Sequence, residues 1–369
     1  MERLDPAHLT PAASLNRLRI IDLPGVALPA EIRGRTVYEF LSAAALADQV
    51  REQGIDLGLG DLRGSDADTV LRRFDRCFSA SVPDVCAAAD AEARRFGQYL
   101  GYVILALRRG DPVNRRARPD WDDSYWAHWA AVTTIDIAGG LVSGQLGPQV
   151  VAHASHTVRQ AGMDDCTIRL APNPALLPLI GAARTVSPTC RVGVVFDFGQ
   201  SFVKRACARY DNGVLTSLNL FPPVPIRDIT SIIRAEPTVA QVQQLGECMV
   251  ALMAATWRIA EGDGYHPDPA FCASIASYML DGQPLPRQGG PYAALHLLSP
   301  NLEQWLARHL SEHLGRPIAV RLIHDGTAAA RAQAGTAHAA VITLGTALGI
   351  GFPPPAQGLR PIAAALIVN

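Results

Sequence analysis

Short runs of contiguous apolar residues alternate along this chain with longer stretches whose apolar positions recur every three or four residues. The first pattern marks strands buried on both faces, the second amphipathic helices. Strands are predicted over Val132–Ala138, 166–170, 192–198, Phe271–Tyr278, Val320–Ile323 and Ala339–Leu344. Strands 202–210 and 214–220 flank Asp211, Asn212 and Gly213, the turn of a hairpin. Helices are predicted over Thr36–Gln53, 69–79, 83–108, 148–161, 175–187 and Leu302–Leu314, the last stopped by Gly315 with Pro317 beyond. Another covers Thr238–Glu261, where Val239, Val242, Leu245, Met249, Leu252 and Ala255 form one stripe. A short strand is expected over Leu18–Leu23 and a Gly/Asp-rich loop over Gly54–Thr69. Residues 1–14 read as a flexible polar lead and Phe221–Pro225 as a Pro-rich connection. Strand and helix alternate in both halves, so the fold class is α/β.

A chain of 369 residues is too long for one ordinary core, and two domains are expected. A hydrophobic share of 49% with 18% charged residues is that of a globular protein. The net charge of −1 carries no nucleic-acid footprint. Seven scattered Cys without a Cys-x-x-Cys pair read as reduced thiols. No apolar run reaches a membrane span and no signal-peptide pattern opens the chain, so a cytoplasmic protein off the membrane is expected.

The chemistry concentrates in three stretches. In the first, the buried strand from Val192 ends on Asp197, turns at Gly199-Gln200-Ser201 and continues as a second strand with Lys204. An acid at a strand end can hold the water shell of Mg²⁺, and Gly199 lets backbone N–H groups approach a phosphate. A plain hairpin with an acid at the strand end is the alternative. In the second, Ile323-His324-Asp325-Gly326-Thr327-Ala328-Ala329-Ala330 carries a strand into an acid and a small-residue helix. In the third, the strand from Ala339 ends in Thr343-Leu344-Gly345-Thr346, with Gly349 and Gly351 beyond. Two phosphate-type turns and one isolated carboxylate form a phosphotransfer constellation.

These three stretches resemble, in order, motifs of the ROK family of sugar kinases, in the actin-like ATPase and sugar kinase superfamily. Asp197-Phe198-Gly199-Gln200-Ser201-Phe202-Val203-Lys204 is similar to the family's Asp-x-Gly-Gly-Thr-x-x-Lys/Arg. His324 to Ala330 resembles Asn-Asp-Ala-Asn-Ala-Ala-Ala, and Leu344 to Gly351 resembles Leu-Gly-Thr-Gly-x-Gly-Gly. The family's C-terminal part resembles the front of this chain. Ile135 to Gly144, with Gly139-Gly140 and Ser143, is similar to the adenosine-site motif. Ala175–Ala183 resembles the closing helix, Glu92–Leu107 the long helix before the adenosine strand, and Gly34–Leu46 the segment after a metal-binding loop. A circular permutation accounts for this order, with 1–190 supplying the family's C-terminal domain and 191–369 its N-terminal domain. The resemblance implies two ribonuclease-H-like domains around a central cleft.

It further implies ATP-dependent phosphorylation of a hydroxyl on a small polyol, with Asp325 as general base. Asp325 as a mere helix cap is the alternative. Asp197 would order Mg²⁺ through water. Gly199, Gln200, Ser201, Gly345 and Thr346 would cradle phosphates, with Lys204 either assisting or standing as a solvated charge. Gly139, Gly140 and Ser143 would lie near adenosine, although Gly-Gly also marks ordinary tight turns. His324, Asp281, Asn301 and Glu39 are the candidate substrate contacts; Glu39 reads equally as a surface carboxylate. The loop Pro24–Gly34 lacks the Cys cluster that binds zinc in many family members, so no zinc is expected there. His324 replaces the family's Asn, Gln200 replaces a Gly, and the family's Glu-x-x-x-His pair is missing, which favours a modified sugar, aminosugar or cyclitol over a plain hexose. A non-catalytic nucleotide- or sugar-binding relative is the second reading. The partners expected are the small-molecule substrate and a second copy in a homodimer. The Trp-rich segment 108–130 packs on its own domain or flanks a ligand.

Overall fold

The computed structural model describes residues 3–226, 237–286 and 290–369. In chain order, the first helices are α1 (Tyr38–Leu41), α2 (Ala43–Glu52), α3 (Ala67–Cys77), α4 (Pro83–Arg109), α5 (Pro112–Arg116) and α6 (Asp123–Ala131). Then follow β1 (Thr134–Ala138), α7 (Leu146–Gln160), β2 (Thr167–Leu170), α8 (Leu177–Arg184), β3 (Val192–Phe198), β4 (Phe202–Asp211) and β5 (Val214–Pro225). The remainder is α9 (Val239–Gly262), β6 (Ala270–Ile275), the hairpin β7 (Met279–Leu280) and β8 (Gln283–Pro284), α10 (Leu302–Leu314), β9 (Ala319–His324), α11 (Asp325–Ala332), β10 (Ala339–Thr343), β11 (Gly349–Gly351) and β12 (Ile362–Val368). The protein is α/β with mixed sheets.

Two compact units emerge, and they do not divide at a single point. Unit 1 gathers Ala12–Leu176 and His338–Ile350; unit 2 gathers Leu177–Ala337 and Gly351–Asn369, the first eleven residues being shared between them. The segment 338–350, expected with the second half, therefore belongs to unit 1, and 177–190 to unit 2.

Unit 1 holds a sheet in the order β11-β10-β1-β2, with β10, β1 and β2 parallel. The long helix α4 lies against α7 through Gly97 and Gly101, one turn apart. A methyl at Gly97 would come within 2.7 Å of His153 Cβ, and one at Gly101 within 2.7 Å of Thr157 Cβ. The absence of side chains there is what lets the two backbones approach.

Unit 2 holds a six-stranded sheet, β12-β5-β4-β3-β6-β9. β3, β4 and β5 are successive antiparallel neighbours, whereas β6 and β9 run parallel to β3. One face is dry: Val194, Phe196 and Phe198 of β3 pack with Met249, Met253 and Trp257 of α9 and Leu306 of α10. On the opposite face α8 packs against α11 and against β3 and β6. Alternation along β3 thus sends Phe196 and Phe198 to one layer and Asp197 to the other.

Several sequence expectations change. Residues 3–14 are packed rather than a loose lead: Leu4, Leu9 and Ala13 are buried. The backbone carbonyl of Ala12 accepts bonds from Arg118 and Trp121. Three apolar residues in a polar stretch were enough to hold it. Leu18–Leu23 is no strand but a single bridge, Arg19 to Thr36. The helix expected over 36–53 breaks at Ser42, whose hydroxyl accepts the Ala45 N–H and starts α2 afresh. β5 runs through Phe221–Pro225, which sequence reading made a connection. Pairing of Val224 and Pro225 with β4 overrides the prolines, whose missing N–H groups suit an edge. Trp121, Trp126 and Trp129 are buried within unit 1, with Trp121 stacked on Tyr125 at 5.0 Å.

Candidate functional site

The candidate residues fall into two sets, one in each unit. In unit 2 the set lies at the carboxyl ends of β3, β6 and β9. Asp197 pairs in register with Ser274 of β6, and Ile275 with His324 of β9. Two interstrand spacings of about 4.8 Å put β3, which carries Asp197, and β9, which leads into Asp325, about 10 Å apart. Asp197 is nearly fully buried, and both of its oxygens are engaged. Oδ2 accepts from Lys204 Nζ at 3.0 Å and Oδ1 from Ser274 Oγ at 2.8 Å. Lys204 faces Asp197 across the antiparallel β3–β4 ladder, so hairpin register makes this pair. The turn itself is tight: Gly199 N–H donates to the Phe202 carbonyl at 3.2 Å, leaving Gln200 and Ser201 at its tip.

Asp325 opens α11, whose N-cap is His324 rather than Asp325. The Asp325 side chain is 28% exposed. Its Oδ1 accepts the Gly326 N–H at 2.7 Å and lies 3.1 Å from His324 Nε2. Close packing holds this helix in place. A methyl at Gly181 of α8 would overlap the Ala328 carbonyl, and one at Gly351 would lie 2.7 Å from the Gly326 carbonyl carbon.

The other candidate contacts of unit 2 have local roles. Asn301 is the N-cap of α10, its Oδ1 accepting the Gln304 N–H at 2.9 Å. Asp281 and Gly282 form the turn of the β7–β8 hairpin, both with positive φ. Asp-Gly is the pair that such a turn selects. Among the described residues, the buried hydroxyls of Ser277 and Tyr292 have no hydrogen-bond partner.

In unit 1 the Gly turns are adjacent because β1 and β10 are parallel neighbours. Gly139 has φ +103, and a methyl on it would lie 2.6 Å from Leu344 N. The Leu344 carbonyl accepts the Leu141 N–H at 3.2 Å. Gly140 opens a 3-10 turn, and α7 starts at Leu146. Ser143 is exposed and donates to the Gly140 carbonyl at 2.8 Å. On the neighbouring turn, Gly345 accepts the first N–H of α2, from Ala43, at 2.8 Å, and Thr346 is exposed. Glu39 is also surface-exposed; hydrogen bonds from the Thr36 hydroxyl and N–H hold its carboxyl below the usual range.

Sequence reasoning missed three supporting residues. Asn16 clamps Leu348 through both backbone groups, at 2.8 and 2.9 Å. Asp75 of α3 accepts the Leu146 N–H at 2.9 Å, capping α7 from another helix. Ser274 holds Asp197. None carries a local signal, because each acts across a distance in sequence that only folding closes.

Mg²⁺ takes oxygen ligands, keeps several waters and commonly binds through one or two carboxylates plus substrate phosphates. Asp197 supplies the ligand chemistry for that role, with its two oxygens already accepting from Lys204 and Ser274. Among the described residues, no group of three or more His, Cys, Asp or Glu side chains gathers to hold a metal alone. Among them too, no helix is long and apolar enough to cross a membrane. No protein-family model matches the chain. No curated protein matches it either.

Proposed function

We propose that this protein is an ATP-dependent kinase for a hydroxyl of a small polyol metabolite, built as a circularly permuted member of the ROK-type sugar kinases with two ribonuclease-H-like domains. The observation that carries the reading is in unit 2. Two acids, Asp197 next to last in β3 and Asp325 just beyond β9, lie at the carboxyl ends of the strands that flank β6, at the edge where open α/β sheets bind ligands. Support for the fold comes from strand order. β3, β4 and β5 make the three-stranded antiparallel start typical of the superfamily, and β6 and β9 follow in parallel. Support for the permutation comes from α8, the counterpart of the family's closing helix, which belongs to unit 2 and leads directly into β3.

In this reading Asp325 takes the proton of the attacking hydroxyl. When Mg²⁺ is bound it offsets charge on the transferring phosphoryl group. Lys204 orients Asp197 through the bond to Oδ2. The turn 199–201 of unit 2 binds phosphate through its backbone N–H groups.

A coupled ADP-release assay with Mg-ATP over glucose, N-acetylmannosamine, glucosamine and myo-inositol tests the proposal. Turnover with one acceptor, lowered by about 10²–10⁴ in Asp325→Asn, is the expected result. Unchanged turnover in that variant refutes the assignment. The second reading, a binding protein without turnover, is favoured by the engagement of both Asp197 oxygens by Lys204 and Ser274. It predicts calorimetric binding of Mg-ATP or sugar with no ADP formed.

A further inference from the structure

The imidazole of His324 is held on three sides. Its ring is buried and stacks on Tyr278 with centroids 4.4 Å apart and planes 18° apart. Nδ1 accepts the Thr327 N–H at 3.3 Å, as the N-cap of α11, and lies 3.2 Å from Thr327 Oγ1. Nε2 lies 3.1 Å from Asp325 Oδ1. A nitrogen that accepts a backbone N–H carries no proton, so a neutral ring capping α11 in this way carries its proton on Nε2, 3.1 Å from the carboxylate. The same oxygen takes the Gly326 N–H at 2.7 Å.

We infer that His324 is a positioning residue for Asp325 rather than a substrate contact: the helix cap selects its Nε2–H tautomer, and that N–H orients the carboxylate of the proposed base. This rests on the kinase reading above. The ring cannot serve as the base itself, because its unprotonated nitrogen faces the helix. A specificity role is then left to other groups, even though His324 stands where the family's Asn touches sugar.

Three variants separate these roles. His324→Asn can still cap α11, since Asn is a good N-cap, but its amide does not extend to the position of Nε2. His324→Gln can reach Asp325. His324→Phe keeps the stack and loses both hydrogen bonds. With Mg-ATP and the acceptor turned over by the wild type, His324→Phe and His324→Asn are expected to lower kcat about 10²-fold with KM near wild type, the scale of a misplaced catalytic group. His324→Gln is expected to recover part of kcat. A raised KM with unchanged kcat, or full kcat in His324→Asn, overturns the inference. A second measurement is independent of turnover. Long-range ¹H–¹⁵N correlation spectra of the intact, ¹⁵N-histidine-labelled protein at mildly alkaline pH should show His324 as the Nε2–H tautomer. An Nδ1–H tautomer overturns the inference whatever the kinetics. If the wild type turns over no acceptor, the kinase reading fails and the positioning role with it. The Nε2–H tautomer would then describe helix capping alone.

Discussion

Gly181→Ala tests how the acid-bearing helix is held. At this point α8 and α11 touch backbone to backbone. A methyl added there would overlap the Ala328 carbonyl oxygen, lie 2.5 Å from its carbon and 3.0 Å from its Cα. Carbon atoms pack best at about 3.5–4.0 Å, so the helices must part by about 1 Å. A gap of that size forfeits about a quarter to a half of each dispersion contact along the interface. Overpacking of this kind costs about 1–3 kcal/mol. Alanine's better helix propensity returns up to about 1 kcal/mol. Because backbone rather than a flexible side chain blocks the methyl, the upper part of the range applies, for a net loss of about 2 kcal/mol. At about 2–4 °C per kcal/mol for a unit of this size, unfolding should fall by roughly 4–8 °C. Gly262→Ala is the control: it ends α9, and a methyl there meets nothing within 4 Å. That variant should be neutral or more stable. Calorimetry of both variants decides the matter. A Gly181→Ala protein as stable as the wild type would refute the close approach of α8 to α11, and with it the account of how Asp325 is held.

Two further predictions concern unit 2. Asp268 accepts the N–H groups of Arg191 and Val192 at 2.6 and 2.9 Å, fastening the start of β3. Burial alone would raise its pKa, but these bonds outweigh burial and lower it. A lowered folded-state pKa stabilises the protein above the unfolded value of about 3.9 and loses that effect as pH falls through the folded value. The gap in denaturant midpoint between wild type and Asp268→Asn should therefore be full near neutrality and shrink below about pH 4; a gap independent of pH would rule this out. Arg360 is buried and donates to the carbonyls of Gly213, Ser187 and Cys190 at 2.8, 2.6 and 3.0 Å, over the Tyr210 ring at 4.1 Å. The three carbonyls take three different nitrogens, Nε, Nη1 and Nη2, which a single ammonium nitrogen cannot replace, so Arg360→Lys should cost about 3 kcal/mol in urea unfolding; wild-type stability in that variant would refute the clamp.

The amino-acid order by itself determined the elements with strong period or punctuation. The stripe of α9, the Gly315 stop of α10, the Asp211-Asn212-Gly213 hairpin and the acids at the ends of β3 and β9 were all legible, because periodicity and turn chemistry act between near neighbours. The α/β class followed from their alternation. Only the tertiary structure decided the rest. That 338–350 joins unit 1 while α8 joins unit 2 depends on which strands pair, and pairing energy comes from contacts far apart in sequence. Ladder pairing carried β5 through its prolines, and buried Leu4, Leu9 and Ala13 tied down a stretch that composition made loose. The partners of the candidate acids were equally hidden. Ser274 reaches Asp197 only because β6 lies beside β3 in one register. Tyr278 stacks on His324 only because the chain after β6 returns past the end of β9. A side chain's type is written locally, but its hydrogen-bond partner is set by the fold.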